Sequence, residues 1–368
     1  MWPKNCWYVA GFSNEIEDGL LARKIAGQAL VMWRTREGKV AALQDRCPHR
    51  LVPLSTGKIV DGSVECGYHG LRFDGRGACS FVPGQTTIPK SAGVKTFPAA
   101  ERHGLLWVWP GLAEVADVNL IPDLHWLQTD GWDVAKGYHH FKCDYRLIND
   151  NLLDLSHETY IHKHTVGHAS VADSPVFSSV IDSKLVRAHR EMPDIDPPPF
   201  FAMMQGHEGR INRWQIAIYQ PPGYNMTEAA FHAVGSPREE ASILRAIHII
   251  MPETEHTAHY FWGLARNFRL NEPELTAGLH KGATHTFNED RELLELQDTC
   301  LQEEAAALGH APQIPQTAVN VDVAPVQGRR VLNAMIKREQ DDPRAVHPPV
   351  PMADDATVSQ PPAQLAAE

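Results

Sequence analysis

The chain is short of the features that mark nucleic-acid binders, membrane proteins and secreted disulfide scaffolds. It sets 34 Lys and Arg against 45 Asp and Glu, a formal charge of −11. It has no basic patch or arginine-rich run to follow a phosphate backbone, so nucleic acid is excluded as a partner. No apolar stretch approaches the roughly 18 residues of a membrane span. The start, Met1-Trp2-Pro3-Lys4-Asn5, has no apolar leader core. The six cysteines, Cys6, Cys47, Cys66, Cys79, Cys143 and Cys300, are too scattered for a disulfide framework. A reducing cytoplasm is the expected compartment. There is no G-x-G-x-x-G after a strand, so no flavin or nicotinamide is expected on this chain; Gly75-Arg76-Gly77 reads as a turn. No internal repeat is visible.

Two short runs stand out against that background. Cys47-Pro48-His49 and Cys66-Gly67-Tyr68-His69 each pair one cysteine with one histidine, with sixteen residues between His49 and Cys66. A structural zinc site usually puts like ligands together on each knuckle. Mixed knuckles suit a centre whose two metals want different donors. A Rieske [2Fe–2S] cluster is such a centre, with two thiolates on one iron and two imidazoles on the other. The bland alternative is four unrelated residues, since cysteine is often a small core side chain and twenty histidines cannot all be ligands. The flanks favour the cluster. Gly67 and Gly70 permit a tight turn around Tyr68-His69. Pro48 fixes its own φ and restricts Cys47. Val82-Pro83-Gly84 is a second turn placed to cover the cluster. Neutral imidazoles raise the potential above that of an all-cysteine ferredoxin. They also leave a ring nitrogen free to bond outward.

A bare Rieske carrier needs only about a hundred residues, and this motif is complete by residue 70. Residues 1–112 read as one domain of short strands between turns, among them 29–33, 38–43, 62–66 and 104–111. Residues 113–340 form a second domain. It holds a helix-like pattern over 145–163, strands at 179–181, 214–219 and 244–250, and a long amphipathic helix from about Glu272 to Leu308. Leu293, Leu294, Leu296, Cys300 and Leu301 give that helix its spacing. The expected class is α+β: an all-β domain, then an antiparallel sheet wrapped around a long C-terminal helix in a helix-grip arrangement. Residues 341–368, rich in Pro, Ala and Asp, are expected to be disordered.

The stretch 151–162 suggests a second metal. Asn151, Asp154 and His157 recur every third position, about 60° apart on one helix face. They interrupt an apolar stripe, where burial is costly without partners. His162 lies about 140° further round a regular helix than His157. The two imidazoles therefore converge only if a π-bulge or a helix end intervenes. A non-haem Fe(II) oxygenase needs two histidines and one carboxylate on one face of its metal. Asn288-Glu289-Asp290-Arg291 in the long helix offers two carboxylates, although acidic residues and Glu/Arg pairs on helices are more often simply solvated.

Together these stretches resemble the oxygenase components of Rieske non-haem iron aromatic oxygenases, and within them the vanillate and dicamba O-demethylase group. The likeness rests on Cys47-Pro48-His49-Arg50, Cys66-Gly67-Tyr68-His69-Gly70, Trp107-Val108-Trp109-Pro110-Gly111, the stretch 150–162 and Pro252-Glu253-Thr254-Glu255, and runs from Pro3 to about Lys337. The resemblance implies that Cys47 and Cys66 hold the inner cluster iron and His49 and His69 the outer one. It implies a mononuclear Fe(II) on His157, His162 and Asp290, with Asp290 preferred to Glu289. Asp154 matches a bridging aspartate and Asn151 the asparagine near it. It further implies a head-to-tail homotrimer in which Asp154 bonds both His157 and the partner subunit's His69.

O2 as co-substrate, a small aromatic substrate and a separate NAD(P)H-dependent reductase or ferredoxin follow from the same likeness. The implied reaction is monooxygenation: O-demethylation of a methoxylated aromatic acid to a phenol and formaldehyde. N-dealkylation and hydroxylation by the same oxidant, dihydroxylation, and an electron carrier with an inert second domain are the alternatives. Three positions depart from the group. Lys163-His164 and His168 stand where small residues follow the second ligand histidine, which makes His164 a competing ligand. His248 matches a pocket histidine of the dicamba enzyme, or else lies on the outer face of its strand.

Overall fold

The computed structural model describes residues 2–206 and 208–353. The chain divides into two compact units. One holds the residues up to Ile121 with Met251–Thr254 and Ile336–Pro348, the other the remainder.

The first unit is built of short antiparallel strands: β1 (Tyr8–Phe12), β2 (Leu21–Ile25), β3 (Gln28–Arg34), β4 (Val40–Gln44), β5 (Lys58–Val60), β6 (Ser63–Glu65), β7 (Arg72–Phe73), β8 (Cys79–Phe81), β9 (Ala99–Arg102) and β10 (Leu105–Val108). They form three sheets, ordered β1-β10-β9, β2-β3-β4 and β5-β6-β7-β8. Leu30 to Trp33 are all buried, so β3 is covered on both faces and reads as an unbroken apolar run rather than an alternation. Val31, Trp33, Leu43, Leu54, Val64 and Phe73 pack into one core, and Cys47 and Cys66 belong to it.

The second unit contains β11 (Asp133–Phe141), α1 (Tyr145–Leu153), α2 (Glu158–Ile161), α3 (Ala169–Asp173), β12 (Phe177–Ile181), β13 (Leu185–Ile195), α4 (Pro199–Met204), β14 (Ile211–Gln220), β15 (Tyr224–Ala233), β17 (Ala258–Arg266), α5 (Pro273–Leu308) and all but the last residues of β16 (Ser242–Pro252) and α6 (Val323–Asp341). Its seven-stranded antiparallel sheet is ordered β11-β17-β16-β15-β14-β13-β12. The first strand thus pairs with the last, and α5 packs against β11. This is the antiparallel sheet with a long C-terminal helix that the sequence leads one to expect.

Two local expectations are corrected. Residues 145–163 are not one helix. Asp154 adopts an extended backbone (φ −109°, ψ 94°), its carboxylate accepts from Ser156 N, and a single 3₁₀ turn leads into α2. An Asp that caps the next turn with its own side chain competes with helix continuation. The buried stripe of α5 is not the leucine-rich one either. It runs through Leu275, Leu279, Ala283, Phe287, Asp290 and Leu294, while Leu293 and Leu296 are 48% and 60% exposed.

Beyond α6, Asn5 donates to the carbonyls of Pro343 and Ala345, and Val350 N donates to Gln220. Residues 354–368, which make up most of the stretch expected to be disordered, lie outside the described residues.

Candidate metal centres and active site

The two Cys/His runs fold into loops of the same design. Cys47 N donates to Val52 O while Leu51 N donates to Cys47 O; Cys66 N donates to Leu71 O while Gly70 N donates to Cys66 O. Each loop closes through a residue of positive φ four positions after its cysteine, Leu51 (61°) in one and Gly70 (70°) in the other. Glycine takes that backbone freely, whereas leucine pays for it. A Cβ on Gly57 would lie 1.9 Å from Glu65 O and one on Gly67 2.8 Å from Thr56 O, so the second loop packs directly on the backbone of residues 56–57.

The loops sort the four side chains by burial. Cys47 and Cys66 are 1% and 2% exposed, and their thiols are hydrogen-bond neighbours. Burial raises the Cys47 thiol above its ordinary pKa, with the Cys66 contact adding to it. His49 and His69 are exposed, with ring centroids 4.5 Å apart. Partial desolvation and the neighbouring His49 and Arg50 hold the His69 imidazole below its usual range, toward the neutral form a metal takes. Val82 and Pro83 line the groove beside both histidines. Two buried thiols and two outward imidazoles fit a [2Fe–2S] centre with one protected iron and one near the surface.

In the second unit, the ligand atoms of His157, His162 and Asp290 all lie within 4.8 Å of one another. The helix end expected to be needed is present: His162 terminates α2, and the two imidazole centroids come within 5.2 Å. Each ring has its outer nitrogen committed. His157 Nδ1 donates to the Asp154 carbonyl at 2.5 Å, and His162 Nδ1 donates to Glu289 Oε2 at 2.8 Å. These bonds fix the tautomers and aim both Nε2 atoms at Asp290 Oδ1, at 3.6 and 3.2 Å. Glu289 thus orients a histidine while Asp290 faces the cation position. Asn151 Nδ2 donates to Asp290 Oδ1 at 3.2 Å.

Burial opposes charge on His162, but its bonds to Asp290 and Glu289 outweigh that and push its pKa up to about 9. Burial likewise works against ionised Asp290, yet the two histidines and Asn151 hold it below the usual carboxylate range. Two imidazoles and a carboxylate converging on one point fit a divalent iron with open coordination positions.

The remaining sequence-selected residues fall as follows. Asp154 reaches His157 through its main chain, while its carboxylate caps Ser156. His164 is exposed and outside the three-residue cluster; His168 caps α3 through Ser170. His248 is buried on β16 and bonded to Tyr260 Oη at 2.6 Å. Burial drives its pKa down to about 3, so it stays neutral.

His248, Asp290 and both ligand histidines line one cavity with about 660 Å³ of empty space, part of it open to solvent. Its walls are largely apolar, with Phe200, Phe201, Leu244 and Phe287 among them. Sequence reasoning missed a buried polar group there. Glu158 accepts from Gln215 Nε2 at 2.9 and 3.0 Å and from Arg213 Nη2 at 3.3 Å. The available signal was Arg213 and Gln215, two polar residues spaced to share one face of β14.

Known proteins resemble both parts of the chain. Residues 6–98 match the model of the Rieske [2Fe-2S] domain, and residues 141–338 that of the vanillate O-demethylase oxygenase C-terminal domain. The vanillate O-demethylase oxygenase subunit of a Pseudomonas species is 38% identical over 351 residues, covering 93% of this chain and 97% of that one. The iron–sulfur subunit of a toluene-4-sulfonate monooxygenase system from Comamonas testosteroni is 35% identical, covering 92% and 98%. A crystal structure of dicamba monooxygenase bound to 3,6 dichlorosalicylic acid superimposes with a TM-score of 0.85 at 32% identity, covering 92% of this chain and 98% of that one.

Proposed function

We propose a reaction for a chain that belongs to the Rieske-type vanillate O-demethylase oxygenase family: oxidative removal of a methyl group from a methoxylated aromatic acid. The cofactors of the family are a Rieske [2Fe–2S] cluster and a non-haem iron, and a separate reductase feeds the oxygenase component. The balance is one methoxyarene, O2, two electrons and two protons giving a phenol, formaldehyde and water. The observation that carries the reading is the convergence of His157, His162 and Asp290 on an apolar cavity, in a chain that also holds the two Cys/His loops.

Cys47, His49, Cys66 and His69 would hold the cluster; His157, His162 and Asp290 would hold the iron, which when bound supplies dioxygen activation. The chain does the rest. Glu289 and the Asp154 carbonyl keep the imidazoles in the ligating tautomer. Asn151 steadies the Asp290 carboxylate. Phe200, Phe201 and Phe287 exclude water and present an aromatic-sized slot. Neutral His248 offers a donor without a charge, in reach of a substrate's polar substituent. In a head-to-tail homotrimer, Asp154 would link His157 to the partner subunit's His69. The six free cysteines suit a reducing cytoplasm.

The test is Asp290→Ala. Visible absorption from the cluster should be unchanged, while formaldehyde release from methoxybenzoates falls by roughly a hundredfold or more. Survival of turnover would sink the proposal. N-dealkylation shares the oxidant, and N-methyl anilines in the same formaldehyde screen separate it.

A further inference from the structure

We infer that Gln215 sets substrate specificity by accepting a hydrogen bond from a phenolic hydroxyl of the substrate. The inference deepens the demethylase reading and rests on it. A carboxylate can only accept, so Gln215 must turn its NH2 toward Glu158. That orientation places its amide oxygen on the other side. Gln215 is 1% exposed, lines the cavity, and its Oε1 has no partner among the described residues. Buried acceptors of this kind are rare in folded proteins and call for a donor.

Arg213 lies two residues earlier on the same face of β14. It spends Nη1 on the Val166 carbonyl, Nη2 on Glu158 and its planar face on Phe201. Only its Nε lacks a partner among the described residues. The pair thus presents one uncommitted acceptor and one uncommitted donor, beside a buried anion. A hydroxyl both donates and accepts, so a single group answers both. An ether oxygen only accepts, and a ligand carboxylate would face Glu158 without supplying Gln215 a proton.

Its neighbours across the sheet are apolar: Ala229 is the cross-strand partner of Gln215, and Leu244 that of Ala229. His248 stands four residues further along β16 than Leu244, on the order of 13 Å in the strand direction. The hydroxyl end is therefore a different end from the one His248 serves.

The experiment compares formaldehyde release from 4-hydroxy-3-methoxybenzoate, 3,4-dimethoxybenzoate and 3-methoxybenzoate by the holoenzyme with its electron supply. It uses the wild type and Gln215→Met, which keeps side-chain length and drops the acceptor. In the wild type the hydroxylated substrate should win in kcat/KM by about tenfold or more. In Gln215→Met that preference should shrink toward one, because the hydroxylated substrate loses more than the other two. Equal kcat/KM values in the wild type overturn the inference, as does a variant that lowers all three alike with its preference intact. If the variant does not fold, calorimetric binding of 4-hydroxybenzoate against benzoate to the wild type decides. A preference of about tenfold supports Gln215, and equal binding refutes it. No formaldehyde from any of the three would instead overturn the demethylase reading, and the binding ratio would still test Gln215.

Discussion

A histidine in this protein is charged or neutral according to what its ring nitrogens meet, and His139 shows the neutral case away from the metal cluster. It sits on β11, where burial, with Arg291 and His280 nearby, pushes its pKa down to about 4. Trp262 Nε1 donates to its Nδ1 at 3.1 Å, a bond that a protonated imidazole cannot accept. The unfolded chain takes up that proton near pH 6.5. The unfolded state therefore binds more protons than the folded one between about pH 6.5 and 4. The contribution of His139 is complete above that window and is lost as pH falls through it, by at most about 1.4 kcal/mol per pH unit. His248, with its pKa near 3, acts in the same direction. We expect the urea midpoint to fall from pH 7 to pH 5 in the wild type. His139→Gln keeps an acceptor for Trp262 and carries no titrating ring, so its midpoint should fall measurably less. Parallel pH profiles for the two proteins would remove His139 from the account.

At the scale of elements, the cavity wall depends on how closely α4 lies on α5. A Cβ on Gly282 would come within 2.6 Å of the Phe200 ring, and one on Gly278 within 3.2 Å of Met203 Sδ. Gly282→Ala gains about 1 kcal/mol of helix propensity and costs roughly 1–3 kcal/mol if Phe200 cannot yield. Phe200 lines the cavity, so yielding displaces the ring from its place in that wall. The expected result is a several-fold rise in KM with iron content and cluster absorption unchanged. An unaltered KM would show that Phe200 has room to turn elsewhere.

Elements of this kind also mark how far the sequence could be read. The two Cys/His loops were legible because their ligands are local, each pair lying within four residues. The iron ligands were half legible. His157 and His162 share one stretch, but their convergence depends on His162 ending α2, which spacing on a regular helix argues against. Asp290 over Glu289 came from family likeness, and the structure gives the physical reason: Glu289 faces Nδ1 of His162 while Asp290 faces Nε2. The buried stripe of α5 was misjudged because leucines looked like core, whereas two aspartates, Asp290 and Asp298, occupy core positions with polar partners. Of Glu158, Arg213 and Gln215 only the polar pair on β14 left a trace in the sequence, since side-chain packing rather than sequence spacing brings Glu158 to that strand.

At the scale of the whole molecule, one polypeptide carries a centre that stores single electrons and a centre that needs two for each turnover. In the proposed head-to-tail trimer one junction would repeat three times, each between different faces of two subunits. If electrons cross between subunits, the cluster and the iron that serve one substrate belong to different chains. Cluster-deficient His69→Ala and iron-deficient Asp290→Ala subunits would then each be inactive alone but complementary in one ring. Co-expressed at equal levels and mixed at random, they place an intact cluster next to an intact iron at about one junction in four, so formaldehyde release should recover to about a quarter of the wild-type rate. Transfer within a single chain predicts no recovery at any mixing ratio, because no subunit then holds both centres. Asp154→Asn refines the test. It should leave both metals bound and slow single-turnover oxidation of the reduced cluster, and an unchanged single-turnover rate would place the electron path elsewhere than through Asp154.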